Sequence, residues 1–180
     1  MNKRGAIELS VGTIVIIVLA MSMLILGLVL VKNIFSGSTE NIDTINDAVK
    51  DQISKAFNRD DVKVVVNLAN KIAKIKQGES WGVAFGVKNL VGKESSFEYK
   101  VVASDLDIVS KCGISKVDAE SWIITGRASS FTLASGGDYY GIIRFQIPET
   151  APLCTIRFDV VVTMDGKAYD TQLFDVQVRP

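Results

Sequence analysis

The sequence predicts an α+β chain in which a long apolar N-terminal helix is followed by an antiparallel β-sandwich. Three observations carry this reading. The 23 residues from Leu9 to Val31 contain no charge, the next segment spaces its apolar residues by three and four, and from Val62 onward the spacing falls to two. These changes of period divide the chain into a helix over 6–35, an amphipathic connector helix over 38–58 and a β domain over 62–180.

The apolar run comes first. At about 1.5 Å per residue it makes a helix of roughly 35 Å, and a bilayer hydrocarbon core is about 30 Å thick. The expected first state is therefore a membrane span with some tilt. Lys3 and Arg4 precede the run and Lys32 follows it. Positive charge before a first span places the N-terminus on the cytoplasmic side and the long C-terminal domain outside. Gly12, Ala20, Ser22 and Gly27 are small enough to let such helices approach each other. A secretory signal cleaved after Ser38 is the first alternative, although its apolar core is about 7–15 residues.

The residues before the run are more specific. Met1-Asn2-Lys3-Arg4-Gly5-Ala6-Ile7-Glu8 places two basic residues, a glycine, a small apolar residue and one acid directly ahead of an uncharged helix. This pattern, over roughly residues 1–35, resembles the class III signal peptide of archaeal type IV pilins and archaellins. The resemblance implies a signal peptide over residues 1–5, cut by a prepilin peptidase between Gly5 and Ala6. It implies an apolar helix that is first a transmembrane anchor and then the core of a filament of identical subunits. It also implies that Glu8 neutralises the α-amino group of a neighbouring subunit. Glu8 would be the third mature residue, whereas bacterial pilins carry that acid as the fifth. Read from its chemistry alone, Glu8 is a headgroup-level carboxylate favoured in the first helical turn. An uncleaved single-span anchor with incidental Lys3, Arg4 and Gly5 is the competing reading.

Ser36-Gly37-Ser38 interrupts the helix. Beyond it Ile42, Ile45, Val49, Ile53 and Phe57 share one face of the connector helix, with Glu40 and Asp43 near its start and Asp47, Lys50, Asp51 and Lys55 opposite. The apolar face would pack on the β domain or on a neighbouring helix.

The β domain alternates clearly. Trp81, Val83, Phe85 and Val87 share a face, as do Phe97, Tyr99 and Val101, then Ile143, Phe145 and Ile147. Ile156, Phe158, Val160, Val162 and Met164 follow, then Phe174, Val176 and Val178. Gln77-Gly78, Asn89–Gly92, Gly136-Gly137-Asp138 and Pro148–Pro152 read as loops, and Asp165-Gly166 as a two-residue hairpin turn. Seven or eight strands over this length fit an immunoglobulin-like sandwich. Val62–Ile75 is open between strand, through Val64–Val66, and a helical turn in Leu68–Lys76.

Cys112 and Cys154 are the only cysteines. On an outward-facing domain they would form a structural disulfide, closing a loop worth on the order of 4 kcal/mol in the chain-entropy account. Two buried free thiols are the other reading. Without histidine, two cysteines make an incomplete zinc site, so no metal is expected. Lys and Arg total 20 against 20 Asp and Glu, which argues against general nucleic-acid binding. No GxxxxGK[ST], GxGxxG or GxSxG occurs, so no cofactor or small-molecule substrate is expected. Asp105 and Asp107 read as a solvated loop rather than a calcium site. Trp81, Trp122, Tyr139 and Tyr140 are the candidates for a glycan-binding platform; of these Trp81 reads as core, and Tyr139 and Tyr140, after Gly136-Gly137-Asp138, as a contact patch.

The expectation is therefore a non-enzymatic, pilin-like subunit, anchored as a precursor and extracellular when mature. Its partners would be the membrane, the peptidase and its own copies. The alternative is an uncleaved anchor whose β-sandwich binds a protein or glycan. A surface enzyme would need converging carboxylates that the sequence does not single out.

Overall fold

The structure, a computed structural model, describes residues 5–36, 45–60 and 62–180, with side chains at 12–27 of the first segment and 45–58 of the second. The chain divides into two units, residues 1–40 and 41–180. The first contains α1 (Gly5–Ser36), a helix of 32 residues. Its described side chains are all exposed. Among the described residues no helix is long and apolar enough to cross a membrane. The uncharged run Leu9–Val31 extends beyond residues 12–27 at both ends, so its full length lies outside the described side chains.

Among the described residues the second unit contains three α-helices, one 3-10 turn and nine strands in two sheets. Helix α2 (Asp47–Asp60) begins later than the periodicity predicts. Asn46 stops it, because its side-chain oxygen accepts from the Val49 N–H at 2.9 Å and so caps the helix. Ile45 therefore precedes the helix, and Glu40, Ile42 and Asp43 lie outside the described residues. The strands β1 (Val64–Val66), β2 (Ile72–Lys76), β3 (Ser80–Lys88), β4 (Ser95–Ala103) and β5 (Ile123–Thr125) come first, followed by β6 (Ala128–Leu133), β7 (Asp138–Gln146), β8 (Thr155–Met164) and β9 (Lys167–Arg179). One sheet runs β1-β3-β7-β5 and the other β2-β9-β8-β4-β6.

The region left open by the sequence is strand on both sides of a single turn. Asn70 and Lys71 adopt φ of 56° and 57°, and this left-handed pair moves the chain from β1 in one sheet to β2 in the other. Strand β2 then pairs with β9 in parallel, so the expectation of a wholly antiparallel domain is corrected. The crossover from β4 to β5 is also helical. It contains α3 (Ile108–Cys112) and α4 (Lys116–Ser121), which the periodicity does not reveal because five and six residues are too short to establish it. The Asp165-Gly166 hairpin is present, with φ of 49° and 75°.

Alternate residues of both sheets meet in one core. Phe145 of β7 packs edge-on against Phe158 of β8 with ring centroids 5.1 Å apart, and Phe85 of β3 against Tyr99 of β4 at 4.7 Å. Such pairs add about 0.5–1.5 kcal/mol beyond their burial. A second, smaller cluster lies on the outer face of the first sheet, where Ile53 and Phe57 of α2 bury themselves against Ala84, with Val65 and Tyr140 alongside. Gly86 makes this possible. A Cβ there would fall against Ile53 Cγ2 and within 2.9 Å of Phe57 Cζ.

Candidate functional site

Two regions hold the residues singled out by the sequence. Lys3 and Arg4 lie outside the described residues. Gly5, Ala6 and Glu8 belong to the helical backbone of α1, and their side chains lie outside the description. From Gly12 to Gly27 the exposed helix surface carries no charge and is apolar apart from Thr13 and Ser22, with Met23 76% exposed and Ile16 and Leu26 each 68% exposed. The described hydroxyl of Ser22 is satisfied within the helix, donating to the Val18 carbonyl at 2.6 Å. That arrangement suits an apolar surrounding, because the polar atom needs no external partner. A Cβ at Gly12 or Gly27 would meet nothing within 4 Å.

The second region is the end of the β domain that carries α3 and α4. Cys112 and Cys154 are joined by a disulfide, with Cα atoms 5.7 Å apart. It ties α3 to the chain entering β8. Ile108 and Cys112 face inward from α3, and Gly113, at φ 69°, ends that helix by donating its N–H to the Val109 carbonyl at 2.9 Å. Ser115 and Asp118 cap α4 reciprocally. The Ser115 hydroxyl and N–H hold the Asp118 carboxyl below its ordinary pKa. Beside them a cleft of about 590 Å³ is lined by Ser104, Asp105, Asp107, Lys111, Arg157 and Asp175. The Asp107 N–H lowers the Asp105 pKa, with help from Lys111. Arg157 donates from Nε to Asp175 at 3.0 Å, and Lys111 lies 3.4 Å from Asp105 and 3.7 Å from Asp107. The charges of the cleft thus answer one another, and the Asp105–Asp107 loop is held together by its own lysine. Among the described residues no three His, Cys, Asp or Glu side chains are placed to hold a metal ion.

The aromatic residues do not converge on one platform. Tyr139 and Tyr140 are consecutive on β7 and so face opposite ways. Tyr139 turns inward and stacks on Phe131 at 3.8 Å. Tyr140 turns outward beneath α2, and its hydroxyl donates to Asp138 at 3.3 Å. Trp122 is buried. Trp81 is not core, as the alternation suggests, but 38% exposed, because it stands at the end of β3. Its neighbours around a shallow groove are Leu68, Ile72 and Ala73.

One structural centre escapes the sequence reading. Asn89 is wholly buried, and its side-chain NH₂ donates to the carbonyls of Lys93, Leu133 and Ala134 at 2.9–3.1 Å. Its Oδ1 accepts from Val91 N–H at 2.9 Å. Next to it the Tyr169 hydroxyl donates to the Lys88 carbonyl at 2.7 Å and accepts from the Leu90 N–H at 3.1 Å. The signal for Asn89 was only its place at the start of a turn.

No protein-family profile matches the chain, and no curated protein sequence matches it either. Among solved structures, one similar chain is the native conformation of E. coli alpha-2-macroglobulin, at 14% identity over 66% of this chain with a TM-score of 0.44. Another is a β-glucosidase from Listeria innocua in complex with isofagomine, at 15% identity over 64% of this chain, also with a TM-score of 0.44. This chain spans 7% and 16% of their respective lengths.

Proposed function

We propose that this chain is a pilin-like structural subunit of a type IV pilus-like extracellular filament, processed after Gly5 and assembled through its apolar N-terminal helix. The observation that carries the reading is α1 itself, whose described surface is uncharged, apolar but for two hydroxyl residues, and exposed throughout. A single isolated chain leaves that surface uncovered, and so much contiguous apolar area calls for lipid or other helices. The uncharged run Leu9–Val31 and the Lys3-Arg4-Gly5 element ahead of it supply the anchor and the processing signal. The two sheets are read as an immunoglobulin-like sandwich forming the outer sheath. The disulfide supports an oxidising, outward location for this domain. Such a subunit works by assembly and needs no catalytic group.

The test is mass mapping of the N-terminus of protein recovered from its native membrane or cell surface. A terminus at Ala6 is the expected result. An intact Met1 would replace the filament model with an uncleaved anchor whose β domain binds a protein or glycan. The exposed Trp81 beside Leu68 and Ile72 favours that second reading. A start at Thr39 would remove the helix from the mature protein and overturn both.

A further inference from the structure

Of the four strand edges in the β domain, three are blunted. β1 is three residues long and its Val65 packs under α2. β5 is also three residues long, with a bulge in its pairing. β2 carries Lys74 and Lys76, both exposed, and these discourage edge-to-edge association. The fourth edge, β6, has the sequence Ala-Ser-Ser-Phe-Thr-Leu over six residues, without charge or proline. Its Ala128, Ser129, Ser130 and Thr132 are exposed.

The direction of its backbone groups follows from the neighbouring pairs. Val101 N–H donates to the Arg127 carbonyl at 2.7 Å, in register with the β4–β6 ladder, so odd-numbered residues of β6 turn toward β4. On the far side of β4 the Asp165 N–H donates to the Ser96 carbonyl, consistent with even-numbered residues of β4 serving β8. The N–H and C=O groups of Ala128, Ser130 and Thr132 therefore face away from the sheet, and unpaired backbone groups are the recognition element of strand addition.

We propose that the β6 edge pairs with β6 of a second copy of this chain, antiparallel and two-fold symmetric about Ser130. That register sets Ser130 opposite Ser130 and Ala128 opposite Thr132. It uses every outward backbone group on both copies, in six hydrogen bonds, whereas a shift by two residues leaves some unmatched. Charge argues for the same occupant. A neutral edge meets itself without an unpaired charge, while a charged partner strand would find nothing on β6 to answer it. The pairing rests on the membrane-anchored state of the proposed subunit for its local concentration, since one strand pair is weak unless the copies are held together. A two-fold pair closes on itself and so belongs to anchored dimers rather than to the head-to-tail contacts of a filament.

Cysteine pairs on the full chain in the membranes of expressing cells test it, with copper–phenanthroline as the oxidant. Across the proposed axis two Ser130→Cys residues stand about 5.5 Å apart at Cα, within disulfide reach. Two Thr132→Cys residues stand about 14 Å apart, beyond it. The expected result is dimer formation by S130C on the order of ten-fold above T132C or A128C, and recovery of the dimer in the A128C/T132C double variant. Ser130→Pro, whose N–H faces outward and leaves the β4 ladder whole, is expected to abolish chemical cross-linking of the otherwise native chain. Equal cross-linking by S130C and T132C, or capture of a different polypeptide by S130C, would overturn the proposal. Sedimentation with the membrane reads the anchor separately. A chain found in the soluble fraction is assayed there at matched concentration, and the same cysteine pattern decides the pairing.

Discussion

Asn89 shows how much one side chain can hold. Three carbonyls, those of Leu133 and Ala134 at the end of β6 and of Lys93 in the β3–β4 loop, accept from its buried amide. Asn89→Ala leaves them without that donor, and the expected loss of stability is on the order of 3 kcal/mol. The midpoint of urea unfolding should fall with its slope unchanged. The tyrosines give a second handle at this scale. Burial, first among the causes, raises the pKa of Tyr99, Tyr140 and Tyr169. A phenol whose folded pKa is raised contributes stability that is complete below about pH 10 and is lost as pH climbs through the folded value. Base titration followed at the tyrosinate absorbance should therefore show Tyr99 ionising only together with loss of the β-sheet signal, and Tyr140 and Tyr169 ionising above the ordinary phenol range. Ionisation of Tyr99 near pH 10 with the sheet intact would contradict the packing described.

At the scale of elements, α2 is held to the β domain by a small apolar seat. Its seat on the first sheet is small and rests on the missing side chain of Gly86. Gly86→Ala should raise the hydrogen exchange of residues 47–58 by at least about ten-fold, the equivalent of roughly 1.4 kcal/mol, while β7 and β8 keep their protection. The crossover helices respond to acid instead. The carboxyls of Asp105 and Asp118 are held below their ordinary values, so their contribution is present above about pH 3.9 and disappears as pH falls through the folded values. Exchange over residues 104–122 should rise in that window before the strands open. These elements also mark what could be read in advance. Alternation located the inward face of each long strand because its period is two. It assigned a side and not a depth, which is why Trp81 was placed inside although β3 carries it to the rim. The caps Ser115 and Gly113 are visible in the sequence, but helices this short have no period to confirm them. The disulfide was legible from cysteine count and expected compartment. The two faces of Tyr139 and Tyr140 were implicit in their adjacency, and the free edge of β6 needed the ladder itself.

For the whole molecule, the disulfide joins the crossover to the second half of the β domain, across 42 residues of sequence. Replacing Cys112 and Cys154 by serine should lower stability by up to about 4 kcal/mol, and reduction of the wild-type chain should do the same. A thermal melt with and without reductant measures it. An unchanged melting temperature would mean that the core alone fixes residues 104–122. The parallel pair β2–β9 has a further consequence, in time rather than in space. Ile72 through Lys76 wait for Asp175 through Arg179, a partner far later in the chain. The edge of the second sheet therefore stays open until β9 has been made. The domain cannot close strand by strand as it emerges; its folding waits on a contact between distant parts of the chain, which is slow to form.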